Sequence, residues 1–141
     1  MRRILSLATL LVLAACGHDD PTGPSPTPAT VSGTYGLTMM DGQALPLLVL
    51  DIGGAYQVRV TSGALTLRPD GTYAYEIGLR IDDSGHVRTQ TDTDGGLWNV
   101  KDGSLTLAST ERAFSSTGVV TGEVITLQSS GREVVLAKKR P

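Results

Sequence analysis

The chain has 141 residues and a formal net charge of −2, from 12 basic and 14 acidic side chains. Nucleic acid is excluded as a partner, because nearly balanced charge offers no basic patch for phosphates. The chain has a single cysteine and two histidines, and no grouping of them with other ligands has the spacing of a metal site. We therefore expect no metal, no cofactor, no catalytic residue and no enzymatic activity.

The first fifteen residues have the pattern of a secretory signal. Two arginines follow Met1, and residues 4–15 are almost entirely apolar, as in the charged and apolar regions of a signal peptide. The apolar run is too short to cross roughly 30 Å of hydrocarbon as a helix, which takes about 20 residues. The run ends in Leu-Ala-Ala-Cys at residues 13–16, and Cys16 is the single cysteine of the chain.

Residues 13–16 resemble the lipobox of bacterial lipoprotein precursors. The resemblance implies that signal peptidase II cuts before Cys16, and that Cys16 then carries a diacylglyceryl group and often an N-acyl chain. Two or more acyl chains hold a protein stably on a membrane. The alternative is an ordinary secretory signal with an unrelated cysteine. Gly17, in place of an aspartate after the cysteine, favours by the same resemblance the outer membrane, with the protein facing the periplasm.

A proline-rich stretch follows the cysteine. Residues 17–30 include four prolines and no large apolar side chain. Such a composition cannot bury enough apolar surface to offset the entropy of ordering it, and prolines favour an extended chain. We predict a signal peptide at residues 1–15, a lipidated cysteine and tether at residues 16–30, and one folded domain at residues 31–141.

The domain begins with a weakly alternating stretch and a strongly apolar one. Residues 33–39 alternate and end at the turn pair Asp41-Gly42. Residues 45–50 are apolar in succession and contain Pro46, which has no backbone N–H to donate. For residues 45–50 we predict a sheet end, an edge strand or a loop, with a short helical lid as the alternative.

Two runs of period two predict half-buried strands. The first places Tyr56, Val58 and Val60 on one face. The second is a hairpin around Pro-Asp-Gly at residues 69–71, a sequence that suits a tight turn. Its second strand has apolar residues at every second position, which a helix would spread around its cylinder. The predicted inward face of the hairpin comprises Leu65, Leu67, Tyr73, Tyr75, Ile77 and Leu79.

The second half of the domain continues with short strands and glycine turns. Residues 86–94 are polar and predict an exposed strand or loop, and residues 97–100 resume a strand. Residues 92–96 begin like a calcium-binding loop, but no carboxylate closes it at the required offset. We therefore expect four aspartates of this region to be solvated turn residues: Asp82, Asp83, Asp92 and Asp94.

About eight strands at short intervals predict an all-β fold with hairpin connections. A meander of that length usually closes on itself, because an open sheet leaves unpaired edges that invite association. The prediction is therefore a small antiparallel up-and-down β-barrel of about eight strands. A two-sheet β-sandwich is the second choice, since it would place the same alternating residues in its core.

Turn-and-strand motifs of this domain resemble those of bacterial lipocalin-like lipoproteins. The motifs are VSGTY at residues 31–35, SGALTLRPDGTYAYEI at 62–77, GGLWNVKDGSLTL at 95–107 and TGEVITLQSSGREVVLAKK at 121–139. The resemblance implies a lipocalin-like barrel that holds a small hydrophobic ligand, although an eight-stranded barrel is also narrow enough to be filled by its own side chains. The candidate lining residues are Tyr56, Tyr73, Tyr75, Ile77 and Trp98.

Two functions remain open at this level. One is a lipid-anchored envelope lipoprotein that binds a small hydrophobic ligand inside its barrel. The other is a structural or interaction lipoprotein of the envelope, with a packed barrel core and no ligand. A ligand-sized cavity with an open mouth would favour the first, and a filled barrel with an exposed apolar patch would favour the second. In both cases the acyl chains on Cys16 make the contact with the membrane.

Overall fold

A computed structural model describes residues 26–112 and 115–140 of the chain. The expected signal peptide at residues 1–15, Cys16 and residues 17–25 of the expected tether lie outside the described residues. Within the described ranges, no helix is long and apolar enough to cross a membrane.

The described chain forms one short helix, α1 (Pro28–Val31), and ten strands. The strands are β1 (Gly33–Met40), β2 (Gln43–Ala44), β3 (Leu47–Ile52), β4 (Tyr56–Leu67), β5 (Thr72–Asp83), β6 (His86–Lys101), β7 (Ser104–Ser109), β8 (Ser115–Thr121), β9 (Val124–Ser129) and β10 (Arg132–Lys138). The polar run that begins at His86 is therefore the first part of a long strand.

Eight of the strands form a closed antiparallel barrel. Around the barrel the order is β1, β10, β9, β8, β7, β6, β5 and β4. The circle closes where β1 pairs with β4, from Gly33 opposite Leu67 to Gly36 opposite Ala64. From β4 to β10 every strand pairs with the next one in the chain. The predicted up-and-down barrel of eight strands is confirmed, and the β-sandwich is wrong because a single sheet closes on itself.

The hairpin of β4 and β5 has the predicted inward face. Leu65 lies opposite Tyr75, and Leu67 lies opposite Tyr73. Leu65 is fully buried at 0% exposure, whereas Glu76 on the other face is exposed. The alternation of apolar and polar residues therefore sets the register, because a slip by one residue would turn the whole apolar set toward solvent.

A β-bulge in the middle of β4 changes which residues of the strand face the core, from even-numbered to odd-numbered ones. The pairing with β5 shifts between Val60 and Ser62, so two residues of β4 oppose one residue of β5. As a result, the even-numbered Val60 and the odd-numbered Leu65 and Leu67 belong to the same apolar core. The sequence pattern predicts two separate strands here, and the bulge joins them into one.

Beyond the barrel, four strands continue as an open sheet that we call the extension. It comprises β3 and the parts of β4, β5 and β6 that lie beyond the bulge, on the side away from the barrel. These parts are residues 47–52, 56–60, 79–83 and 86–90. β3 pairs only with β4 and is therefore an edge strand, one of the alternatives predicted for residues 45–50. The helical lid is wrong, since residues 47–52 are extended.

The two ends of the barrel differ. At the closed end, α1 lies against the barrel, and Val31 is only 2% exposed. Tyr35 Oη donates a 2.7 Å hydrogen bond to the Val31 carbonyl, and Lys138 Nζ donates a 3.2 Å bond to the Thr30 carbonyl. Residues 28–30, expected to belong to an extended tether, are thus helical and attached to the barrel. The open end carries the β9–β10 turn at residues 130–131 and the extension.

Large apolar side chains fill the barrel toward the closed end. They come from α1 and from strands all around the barrel: Val31, Tyr35, Leu67, Trp98, Val100, Leu105, Val120, Ile125 and Leu136. Burial of this many apolar side chains is the main contribution that favours folding of a domain of this size. The core continues toward the open end through Met40, Leu47, Val60 and Val134. The polar inward-facing residues Asp94, Ser116 and Ser129 line a cavity beside this part of the core.

Candidate ligand-binding site

A buried carboxylate lies inside the open half of the barrel. In β6, Trp98 is buried, and counting back in steps of two along the same face leads to Asp94. Asp94 stands opposite Tyr75 of β5 and is only 9% exposed. A charged side chain at such a position needs hydrogen-bonding partners, because burying it alone is costly.

Two hydroxyl groups bond to the Asp94 carboxylate. Tyr73 Oη donates to Asp94 Oδ2 at 2.7 Å, and Ser109 Oγ donates to Asp94 Oδ1 at 2.7 Å. Ser109 Oγ in turn accepts the backbone N–H of Arg112 at 2.9 Å. Burial, followed by the hydrogen bond to Asp94 and its negative charge, raises the pKa of Tyr73. Tyr73 therefore remains a protonated donor at neutral pH.

A small cavity lies beside this cluster. Its volume is about 50 Å³, and its walls are mainly apolar. The lining residues are Tyr73, Tyr75, Asp94, Leu107, Ser116, Leu127, Ser129 and Val134. A space of this size can hold water or a small chemical group, whereas sites for drug-sized ligands are about 300–1,000 Å³. A ligand that enters the barrel is therefore small, or enters with only one end.

An outer space of about 250 Å³, which we call the vestibule, adjoins this cavity. The two share Tyr75, Asp94 and Ser129 as lining residues. Two residues that line the vestibule form a half-exposed ion pair, in which Arg112 Nη2 lies 2.8 Å from Asp92 Oδ1. The guanidinium is thus held by Asp92, and its pKa is raised by the hydrogen bond and by the charge of that carboxylate.

The five predicted lining residues fall into two groups. Tyr73 and Tyr75 line the cavity, and Ile77 lines the vestibule together with Tyr75. Trp98 lies toward the closed end, where its Nε1 donates a 2.9 Å bond to the Arg68 carbonyl. Tyr56 lies in the extension, opposite Asp83 and outside the barrel. The structure therefore brings three of the five residues to one site.

The polar members of the site were missed by sequence reasoning. The expectation that Asp92 and Asp94 are solvated turn residues is wrong, because both lie within β6 and Asp94 is buried. Ser116 Oγ donates to Ser129 Oγ at 3.0 Å across the cavity, which the sequence did not single out either. One signal was present for Asp94: it has the same parity as Trp98 and Val100, so alternation alone directs it inward.

In the part of the chain that the structure describes, no three His, Cys, Asp or Glu side chains are grouped so that they could hold a metal ion. The site offers hydrogen bonds and charge to a ligand. These come from the buried carboxylate of Asp94, from hydroxyl groups and from the Arg112 guanidinium that is paired with Asp92. No protein-family model matches the chain, and no curated protein shows significant similarity to it. Function must therefore be inferred from the site itself.

Proposed function

We propose that this protein is a lipid-anchored protein of the bacterial envelope whose barrel binds a small ligand at its open end. The observation that supports ligand binding is the asymmetry of the barrel. The closed end is filled by apolar side chains alone, whereas toward the open end the core residues Leu127 and Val134 border a cavity that has a buried carboxylate at its wall and adjoins the vestibule. A concave, mostly apolar space with a few convergent polar groups is typical of small-molecule sites.

The size of the cavity limits the ligand. A bulky lipid would not fit into about 50 Å³, so the ligand places a small group there and its remainder in the vestibule. The initial expectation of a small hydrophobic ligand thus becomes a small amphipathic one, because Asp94, Ser116 and Ser129 line the same space.

Native mass spectrometry of the purified protein tests ligand binding. We expect a co-purified small molecule on the wild-type protein, and its loss in Ser116→Leu, where the larger side chain fills the cavity. Thr117→Leu is the matched control, because Thr117 is the next residue of β8 and is exposed. Absence of any bound mass on the wild-type protein, or equal retention by both variants, contradicts the proposal.

The lipid anchor is supported by the lipobox-like residues 13–16 and the apolar run before them. Cys16→Ser should remove the acylated form and release the protein from the membrane fraction. Globomycin treatment of wild-type cells should produce unprocessed precursor. Protein that sediments with membranes in the Cys16→Ser variant, with no acyl mass on the wild type, would show that the anchor is wrong.

A structural or interaction lipoprotein is the second candidate, and the extension favours it. Leu48, Leu50 and Ile52 of the edge strand β3 are 40–59% exposed, and an exposed apolar edge is a common site of strand pairing. A photo-cross-linking residue at Leu50 should then give one discrete adduct in cells. The same residue at Thr106, an exposed position of β7, should give none.

A further inference from the structure

The carboxylate of Asp94 has no cationic partner among the described residues. The three ion pairs found in residues 26–112 and 115–140 join Arg112 to Asp92, Arg132 to Asp41 and Arg140 to Glu123. Among the described residues, the Asp94 carboxylate accepts two hydroxyl bonds, from Tyr73 and Ser109. A carboxylate has about four acceptor positions, so it can accept further donors from the cavity that it lines. Buried charges in proteins are normally paired.

The surroundings of Asp94 are negative overall. Asp92 lines the vestibule, and the negative charge of Glu111 contributes to the raised pKa of Tyr73. Arg112 is the cation that lines the vestibule, and its charge also interacts with that of Asp94. Its hydrogen bonds go to Asp92, through contacts of 2.8 and 3.4 Å. At the cavity and the vestibule, the carboxylates of Asp92, Asp94 and Glu111 therefore outnumber the one guanidinium. The Arg132–Asp41 pair at the same barrel end adds no net charge. A local excess of negative charge favours entry of a cation and disfavours entry of an anion.

The walls of the cavity suit an organic cation. Leu107, Leu127 and Val134 supply apolar surface, and Tyr73 and Tyr75 supply aromatic rings. Aromatic rings attract ammonium groups, most strongly where water is excluded. A bare divalent metal ion would find too few carboxylates here, since the described residues contain no group of three possible ligands.

We propose that the open end binds the ammonium group of a small organic amine, with Asp94 as its counter-ion. A short apolar portion next to the nitrogen lies in the cavity, and the rest of the molecule lies in the vestibule. This inference rests on the proposed ligand-binding function and names the chemical class of the ligand. Ser116 and Ser129, which line the same cavity as Asp94, offer hydroxyl oxygens to the same ammonium group.

Three probes of equal chain length test the inference on the full-length wild-type protein in a non-ionic detergent. They are n-butylammonium, n-butanol and butyrate, and binding is followed by NMR through the backbone amides of Asp94, Ser116 and Ser129. We expect n-butylammonium to bind about tenfold more tightly than n-butanol or better, because a charge-assisted hydrogen bond is roughly twice as strong as a neutral one. Butyrate should not bind.

Asp94→Asn should lower the affinity for n-butylammonium about tenfold or more, to the level of n-butanol. Asp41→Asn is the matched control, because it removes the same charge at the same barrel end and outside the cavity lining. Asp41 has φ +51, a conformation that asparagine tolerates well. The control should leave the affinity unchanged.

The outcomes separate the two proposals. If n-butanol or butyrate shifts the same amides as strongly as n-butylammonium does, ligand binding at the open end stands and the ammonium inference is wrong. If none of the probes shifts these amides at the highest concentration the sample tolerates, both are wrong. Should Asp94→Asn fail to fold, the probe series on the wild-type protein decides the question by itself.

Discussion

Tyr73 and Asp94 lie on neighbouring strands and are joined diagonally, since Tyr73 stands opposite Gly96 while its hydroxyl reaches Asp94 Oδ2 at 2.7 Å. Tyr73→Phe keeps the ring and removes only this donor. We expect the free energy of unfolding at neutral pH to fall by about 1–3 kcal/mol, because a buried acceptor loses its partner. Urea unfolding measures the change. Tyr75→Phe is the control, since no described residue accepts its hydroxyl, and an equal loss there would contradict a specific role for the Tyr73 bond.

The same hydroxyl predicts how stability depends on alkaline pH. Burial is the largest cause of the raised pKa of Tyr35, Tyr73 and Tyr75 in the folded protein. Each group thus holds its proton more tightly when folded, and the resulting stability is fully present below the unfolded pKa of 10.0. It is lost as pH rises from there through the folded values. In Tyr73→Phe this alkaline loss of stability should be shallower than in the wild type.

The hairpin of β4 and β5 allows a test of inward and outward positions. Leu65 is completely buried, so Leu65→Ala should destabilise the protein by about 2–5 kcal/mol. Glu76→Ala on the opposite face should cost less than about 0.5 kcal/mol. Ile77 is inward but only partly buried, so Ile77→Ala should fall between the two. A cost at Glu76 that equals the cost at Leu65 would refute the assigned register.

Helix α1 should stabilise the barrel through one side chain. Val31 is buried in the core at the closed end, and Val31→Ala should lower the free energy of unfolding by about 1–2 kcal/mol through the loss of two methyl groups. Val119→Ala is the same chemical change at an exposed position and should cost much less. If both variants unfold at the same denaturant concentration, α1 contributes nothing to the stability of the barrel.

The β4–β5 turn predicts a shifted carboxyl titration. Asp70 Oδ1 accepts the Thr72 hydroxyl at 2.7 Å and the Thr72 backbone N–H at 2.9 Å. These two bonds lower the pKa of Asp70 below 3.8, so its contribution to stability is present above that pH and is lost as pH falls through the folded value. Thr72→Val removes the hydroxyl and should raise this pKa in an NMR titration. Thr106→Val, on exposed β7, should not change it.

Much of the barrel could be predicted from the sequence, because the alternation of apolar and polar residues is visible within each strand by itself. The hairpin face from Leu65 to Leu79 needs only period two and a turn. The bulge at Val60–Ser62 does not follow, because it depends on how many residues of one strand oppose those of another. Helix α1 was missed for a different reason. Composition predicts an extended tether, yet Thr30 Oγ1 accepts the Thr27 N–H at 2.9 Å and helps to begin a helical turn.

The candidate site was harder to predict than the fold. Tyr73, Tyr75 and Ile77 follow from their shared face. Trp98 and Tyr56 show the same alternation within their own strands, but Trp98 lies toward the closed end and Tyr56 lies in the extension. Position along the barrel axis depends on the stagger of distant strands, which no local pattern contains. Asp94 was set aside because aspartate is typical of turns, although its parity directs it inward.

The contact between Lys138 and Thr30 means that the described chain enters and leaves the barrel at the same end. An acylated Cys16 would therefore attach the domain by its closed end, with about ten residues before Pro26, which span at most about 35 Å when fully extended. The vestibule then lies at the barrel end opposite the attachment. A charged solute would reach it from the aqueous side without partitioning into lipid, and a fusion at the C-terminus would leave it unobstructed.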